Sequence, residues 1–292
     1  MIYLAMAILA SFSITLLIKD NEVRGANTQV VLASNYLSAG AIGWVFVLVA
    51  RAGAGGGAFT VGRETLLLGL GGSVLFPGAF FLMMWGIRRY GVSLAGSVSR
   101  LSLTVPILFA ALFLGERFAL ITTAGLAGAF VALLLLSPLR KKGGQTQHLD
   151  TQALWYFPTL VLIFGIVDLW VNLYNAIGPA EERFTFIVLI FSGAAALVWV
   201  VTGLRQTAVD GQSVVRGLIL GVPNFFSSYL LMESLRSPTF AGLSAVVYAL
   251  YSAVGVALTF AAGALIWREA LTMRNQVGMA LAVISVILLN LR

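Results

Sequence analysis

The chain has 292 residues, 60% of them hydrophobic and only 10% charged, with a formal net charge of +7. Soluble domains carry about a quarter charged residues, so this composition cannot build a water-facing surface, and the exterior must face a bilayer. The absence of cysteine excludes disulfide frameworks, Cys-ligated zinc and iron–sulfur clusters, and the single histidine, His148, lies among polar residues in a linker, which argues against His-based metal sites and triads. The positive charge does not point to nucleic acid, because the basic residues are spread thinly over the loops with no dense stripe, as in membrane proteins.

A spanning helix needs roughly 20 mostly apolar residues. Taken in chain order, such runs fall at about 1–18, 28–50, 65–87, 92–114, 118–138, 153–175, 184–204, 214–235, 240–265 and 275–291. The first has no Lys or Arg at its start and no small-residue cleavage site, so it reads as a retained span rather than a signal peptide. Most runs are apolar all round, unlike the one-sided helices of soluble cores, and none alternates like a membrane β-barrel strand. The predicted fold class is all-α: a polytopic membrane protein of about ten transmembrane helices. Two connections stand out. Residues 50–62 are Gly/Ala-rich and read as flexible. Residues 138–151 hold Arg140, Lys141 and Lys142 and divide the chain near its middle.

The halves repeat one another. The fourth run ends in Leu114-Gly115-Glu116-Arg117 with Gly125 beyond, and the ninth in Ile266-Trp267-Arg268-Glu269 with Gly278 at the same spacing. Met84-Trp85-Gly86-Ile87-Arg88 parallels Met232-Glu233-Ser234-Leu235-Arg236, followed by Ala95-Gly96 or Ala241-Gly242. With five helices per half, the second half enters from the opposite side, an inverted repeat of the kind transporters use. The predicted organisation is a first five-helix repeat over 1–138, a linker over 139–152 and a second repeat over 153–292.

These paired turns, Pro106 upstream of the first and the glycine-containing helix after each resemble the drug/metabolite transporter (DMT) superfamily, specifically its EamA-type ten-helix exporters, and within it Asn35-Tyr36, Gly165-Ile166-Val167-Asp168 and Pro223-Asn224-Phe225-Phe226-Ser227-Ser228-Tyr229 resemble a bacterial branch. The resemblance covers essentially the whole chain. It implies metabolite efflux across the cell (inner, plasma) membrane by a multi-pass protein. Two departures are Trp267-Arg268-Glu269, which lacks the Gly before Glu, and Ser11-Phe12-Ser13 where many relatives carry Trp-Gly.

Charges at bilayer depth are costly, about 2.5–3.5 kcal/mol on insertion scales, and need a reason. Two such residues are Arg100 and Asp168. Arg100 lies on a polar stripe Ser93-Ser97-Arg100-Thr104, whose spacing puts all four on one helix face. Gly165, Asp168, Asn172 and Asn175 form another, Ser244, Tyr248, Tyr251, Gly255 and Thr259 a third, and Ser11, Thr15 and Lys19 a fourth, with Asn224, Ser227 and Ser228 on the eighth helix. Stripes on several helices predict a shared inward cavity. The expected substrate-binding residues are Arg100, Asp168, Asn172, Asn224, Ser97 and Tyr248. The Arg100 guanidinium suits an anionic group such as a carboxylate. Asp168 is a counter-ion, an amine site or a proton-coupling carboxylate. The alternatives are a structural Arg100–Asp168 ion pair, or an Arg100 that snorkels to the interface. Pro223 can open helix 8 and leave Asn224 at a transport site, or merely kink it. Glu116 and Glu269 read as helix-end residues that cap or form turns. The Gly217/Gly221 spacing carries little weight in a chain with 31 glycines.

The three lysines, Lys19, Lys141 and Lys142, fit no P-loop, and no catalytic or metal constellation is present, so the expectation is a gradient- or substrate-driven transporter, not an enzyme, with no cofactor. Expected partners are a small-molecule substrate and the lipid bilayer, with a coupling proton if Asp168 titrates in transport, and no nucleic acid. A lipid-linked substrate flippase and a non-transporting scaffold or sensor are the other readings. Arg51, Arg63, Arg117, Arg183, Arg236 and Arg292 fall on the side of the termini, and the larger basic set on the other side, so the positive-inside rule puts the termini outside, against the orientation that the resemblance implies. Sequence leaves substrate, direction and oligomeric state open.

Overall fold

A computed structural model describes residues 1–53, 61–105, 109, 119–136, 139–142, 146–149, 151–240, 244–269 and 271–290. Ten α-helices follow in order among them: α1 Ile2–Val23, α2 Thr28–Gly53, α3 Arg63–Tyr90, α4 Val92–Ser99, α5 Leu120–Leu136, α6 Thr151–Ile177, α7 Arg183–Leu204, α8 Gly211–Arg236, α9 Ser244–Leu265 and α10 Met273–Asn290. Six of these (α1, α2, α3, α6, α7 and α8) are long and apolar enough to cross a membrane; α5 and the apolar parts of α9 and α10 are shorter. Their outward faces carry large apolar side chains: Phe130 is 65% exposed, Val74 62% and Val200 58%. In water such faces would drive aggregation, and in lipid they are solvated. The protein is a predominantly helical membrane protein.

Two elements differ from the sequence expectation. Residues 139–152 hold a small antiparallel hairpin, β1 Leu139–Lys142 and β2 Thr146–Leu149, pairing Leu139 with Leu149 and Lys142 with Thr146. A Gly143-Gly144 pair stands between the strands in the sequence, the composition of a hairpin connection. The predicted 92–114 span is not one continuous α-helix: α4 ends at Ser99 and passes into a 3₁₀ turn, Arg100–Leu103. Ser99 Oγ donates to Gly96 O and Thr104 Oγ1 to Leu101 O, at 2.9 and 2.8 Å. Hydroxyls that bond carbonyls three residues back compete with the helical ladder and favour the tighter turn. The expectations at Pro106, Glu116, Arg117, Ala241, Gly242 and Arg292 lie outside the described residues.

Packing joins the two sides of the hairpin. α2 lies along α7 and α8, α3 along α6 and α7, α1 along α8, α4 along α9 and α5 along α10. One core gathers Val31, Tyr36, Ile87, Phe186, Phe191 and Leu220; a second gathers Val98, Leu101, Leu136, Phe157, Leu160 and Val256. Lipid gives helices no hydrophobic reason to associate, so small residues that let backbones touch decide the pairing. Gly217 and Gly221 act this way. A methyl group on either would overlap the carbonyl oxygen of Val31 or Asn35 on α2. The spacing given little weight in the sequence is the seam of the α2–α8 pair.

Helix starts are capped across the bundle. Both Glu182 carboxylate oxygens accept from the Gly62 N–H at the start of α3, at 3.0 and 2.9 Å. Asp210 caps α8 by accepting from Ser213 N–H at 2.7 Å, and hydrogen bonds from Ser213 hold its carboxyl below the usual carboxylate range. Glu269, between α9 and α10, accepts from Val92 N–H at 2.7 Å and Ser93 N–H at 3.0 Å, closing the start of α4. Gly91 sits beneath that carboxylate at φ +87°, where a side chain would strike it. Arg268, before Glu269, adopts a left-handed φ of +49°. The first half carries Gly115 at the matching position, the residue that backbone favours.

Candidate functional site

The 3₁₀ turn after α4 places Arg100 and Ser102 on different sides of the same segment. Arg100 is half-buried and reaches α1 and α9. Its Nη2 donates to Ser11 Oγ at 2.5 Å, and its Cζ lies 4.9 Å from the centre of the Tyr251 ring, a cation–π distance. Gly255, one turn on from Tyr251, makes room for the guanidinium: a Cβ there would come within 3.2 Å of Cζ. Ser11 is itself buried and is followed on the same face by buried Thr15, whose hydroxyl donates to Ser11 O. The Arg100 side of α4 is therefore closed by a serine, an aromatic face and a glycine, none of which neutralises the charge.

Ser102 points the other way, to α6, and donates to Asp168 Oδ2 at 2.8 Å. The close approach that permits this is made at Gly165, where a methyl would overlap Val105. Arg100 lies within electrostatic range of Asp168, but among the described residues no ion pair joins them. The paired alternative raised by the sequence is therefore not what the geometry shows. Each charge is held by a different hydroxyl.

Ser97 and Ser93, one and two turns before Arg100, are fully buried, and neither hydroxyl has a hydrogen-bond partner among the described residues. An unmet buried hydroxyl costs about 1–3 kcal/mol, so this face of α4 is polar beyond what packing satisfies. Gly96 and Gly263 bring α4 close to α9 beside these serines, Gly96 against Thr259 and Gly263 against Ser93.

Asn224 belongs to a different place. Its Nδ2 donates to Asn35 Oδ1 at 3.1 Å in the buried α2–α8 seam, and its carbonyl accepts from Ser227. Pro223 lies within α8, which continues to Arg236. Lys19, expected on the polar stripe of α1, is paired with Glu22 at 2.6 Å near the helix end. The backbones of Asn172 and Tyr248 lie in α6 and α9, and their side chains lie outside the described part of the structure. The structure thus brings Arg100, Ser11, Tyr251 and Gly255 together, holds Asp168 with Ser102 nearby, and puts Asn224 elsewhere. Ser102 was not on the sequence-predicted stripe, because it lies two residues from Arg100 and so on another helix face.

No family model matches the chain. An uncharacterized protein of Haemophilus influenzae is 25% identical over 280 residues, which span 94% of this chain and 92% of that protein. A protein of known crystal structure shares the fold with a TM-score of 0.61 at 19% identity, over 98% of this chain and 94% of its own.

Proposed function

We propose that the protein is a secondary transporter, an exporter of a small polar metabolite, working by alternating access. The observation that carries this reading is Arg100: an intramembrane cation at a break in its helix, held by a hydroxyl and an aromatic face rather than by a carboxylate, beside buried hydroxyls without partners. A charge kept in that state is available to an anionic group of a solute, and Asp168 is available to a second group or to a coupling proton. The resemblance to EamA-type transporters of the DMT superfamily is what favours export, and an inner-membrane location, over the other readings.

The helix pairing supports two inverted five-helix repeats, 1–138 and 153–292, crossing the membrane ten times. If α1 to α5 correspond to α6 to α10, the α2–α8 contact is mirrored by α7–α3 and the α1–α8 contact by α6–α3. The α2–α7, α4–α9 and α5–α10 pairs each join a helix to its own counterpart. A two-fold axis in the membrane plane would generate this pattern. α4 and α9 would meet across that axis, with Arg100 just beyond the end of α4 and Tyr251 on α9.

Counterflow in proteoliposomes, with labelled amino acids, organic acids, sugars and amines, tests the reading. Flux of one solute class is expected, and Arg100→Gln or Asp168→Asn should abolish it while the protein still inserts. A loss of about 10- to 100-fold corresponds to one charge-assisted hydrogen bond. Unchanged flux in both variants overturns the site. No flux of any class from correctly inserted protein overturns the transport of small solutes, in favour of a lipid-linked substrate or a scaffold.

A further inference from the structure

An open cleft of about 590 Å³ runs between α3 and α6, lined by Phe81, Leu82, Trp85, Trp155, Tyr156 and Thr159, with Thr151 and Gln152 at its mouth. It lies on the outer face of the bundle: Trp155 is 75% exposed and Trp85 40%. The helices run antiparallel there, so the end of α3 meets the start of α6. At that end Arg89 is exposed and donates to Gln152 Oε1 at 3.2 Å. The floor is fixed, because Tyr156 donates to Leu82 O and lies against Gly86, where no side chain would fit.

We infer that this cleft binds an anionic phospholipid, with its phosphate at Arg89 and one acyl chain along the aromatic wall. Three features point to that occupant. The wall is apolar and aromatic over its length, as an acyl chain requires. From Arg89 to Phe81 is eight residues, about 12 Å of helix rise, close to the roughly 15 Å depth of one leaflet. The mouth is cationic: Arg89 spends one of its donors on Gln152 and keeps the rest of its fork for a phosphate. Tryptophan at this level is the ordinary interfacial anchor; a cleft closed at its floor and charged at its mouth holds a single lipid in one place.

The inference does not depend on whether the chain transports. Native mass spectrometry of the purified protein, titrated with phosphatidylglycerol and separately with phosphatidylcholine, tests it. Wild type should retain phosphatidylglycerol in preference. Arg89→Gln should weaken that lipid about fivefold, the effect of one basic residue at a membrane surface, and leave phosphatidylcholine unchanged. Trp155→Ala, on an exposed side chain that folding does not need, should weaken both lipids. Equal retention of the two lipids by wild type would overturn the inference. So would preference for phosphatidylglycerol that survives both substitutions, which would mark a diffuse basic surface. A dimer that excludes lipid and is disrupted by Trp155→Ala would assign the cleft to a second copy instead.

Discussion

α4 and α8 invite the same reading and turn out differently. α8 carries a proline at mid-helix followed by a polar residue, yet runs unbroken from Gly211 to Arg236. The described part of α4 has no proline and stops at Ser99, where Arg100 begins a 3₁₀ turn. A missing N–H removes one ladder bond, which neighbouring turns can carry. Several hydroxyls drawing on carbonyls, together with a charge that must reach two other helices, change the backbone itself. In α8 the polar group serves the packing of two helices. In α4 the packing is arranged around the polar groups, with Gly255 clearing space for the Arg100 guanidinium, Gly263 for Ser93 and Gly96 for Thr259.

Four substitutions can break or sharpen that contrast. The largest effect is expected for Gly221→Leu, which forces α8 away from the Asn35 carbonyl and should cost about 3 kcal/mol in a mixed-micelle unfolding assay. Stability within error of wild type would mean that the α2–α8 seam is not as close as described. Glu269→Ala should cost about 1–2 kcal/mol by uncapping α4, and hydrogen exchange should rise first at Val92 and Ser93. Asn224→Ala should lower stability by about 1 kcal/mol and leave the solute selectivity of any flux untouched, unlike Arg100→Gln. A changed selectivity would return Asn224 to the transport site. The smallest effect is a gain: Arg268→Gly relieves a left-handed backbone that costs about 1–2 kcal/mol, against about 0.4–1 kcal/mol of added unfolded-chain entropy, and should stabilise by about 0.5 kcal/mol.

The positions of the helices were legible because lipid demands long apolar runs. The predicted 28–50 and 184–204 runs match α2, Thr28–Gly53, and α7, Arg183–Leu204, to within a few residues. Arg100 and Asp168 stood out because charge is rare at that depth. The break at Arg100 was not legible, since the stripe Ser93-Ser97-Arg100-Thr104 fits an α-helix and conceals the turn that interrupts it. Ser102 was missed for the same reason. Gly217 and Gly221 look like any other glycine pair until the backbone facing them is known. The role of Glu269 at a helix end was readable, but the helix it caps is not its own, and no local pattern reveals a partner 177 residues away.

That separation bears on how the protein is made. The amides that open α4 are synthesised long before the carboxylate that accepts them. At roughly 5–20 residues per second the ribosome needs about 10–35 s to cover the 177 residues between them. Through that interval the segment bearing Arg100 is inserted without its final restraint. Until Glu269 emerges the start of α4 lacks its cap, so a turn made late in synthesis is the one that closes an element of the first half.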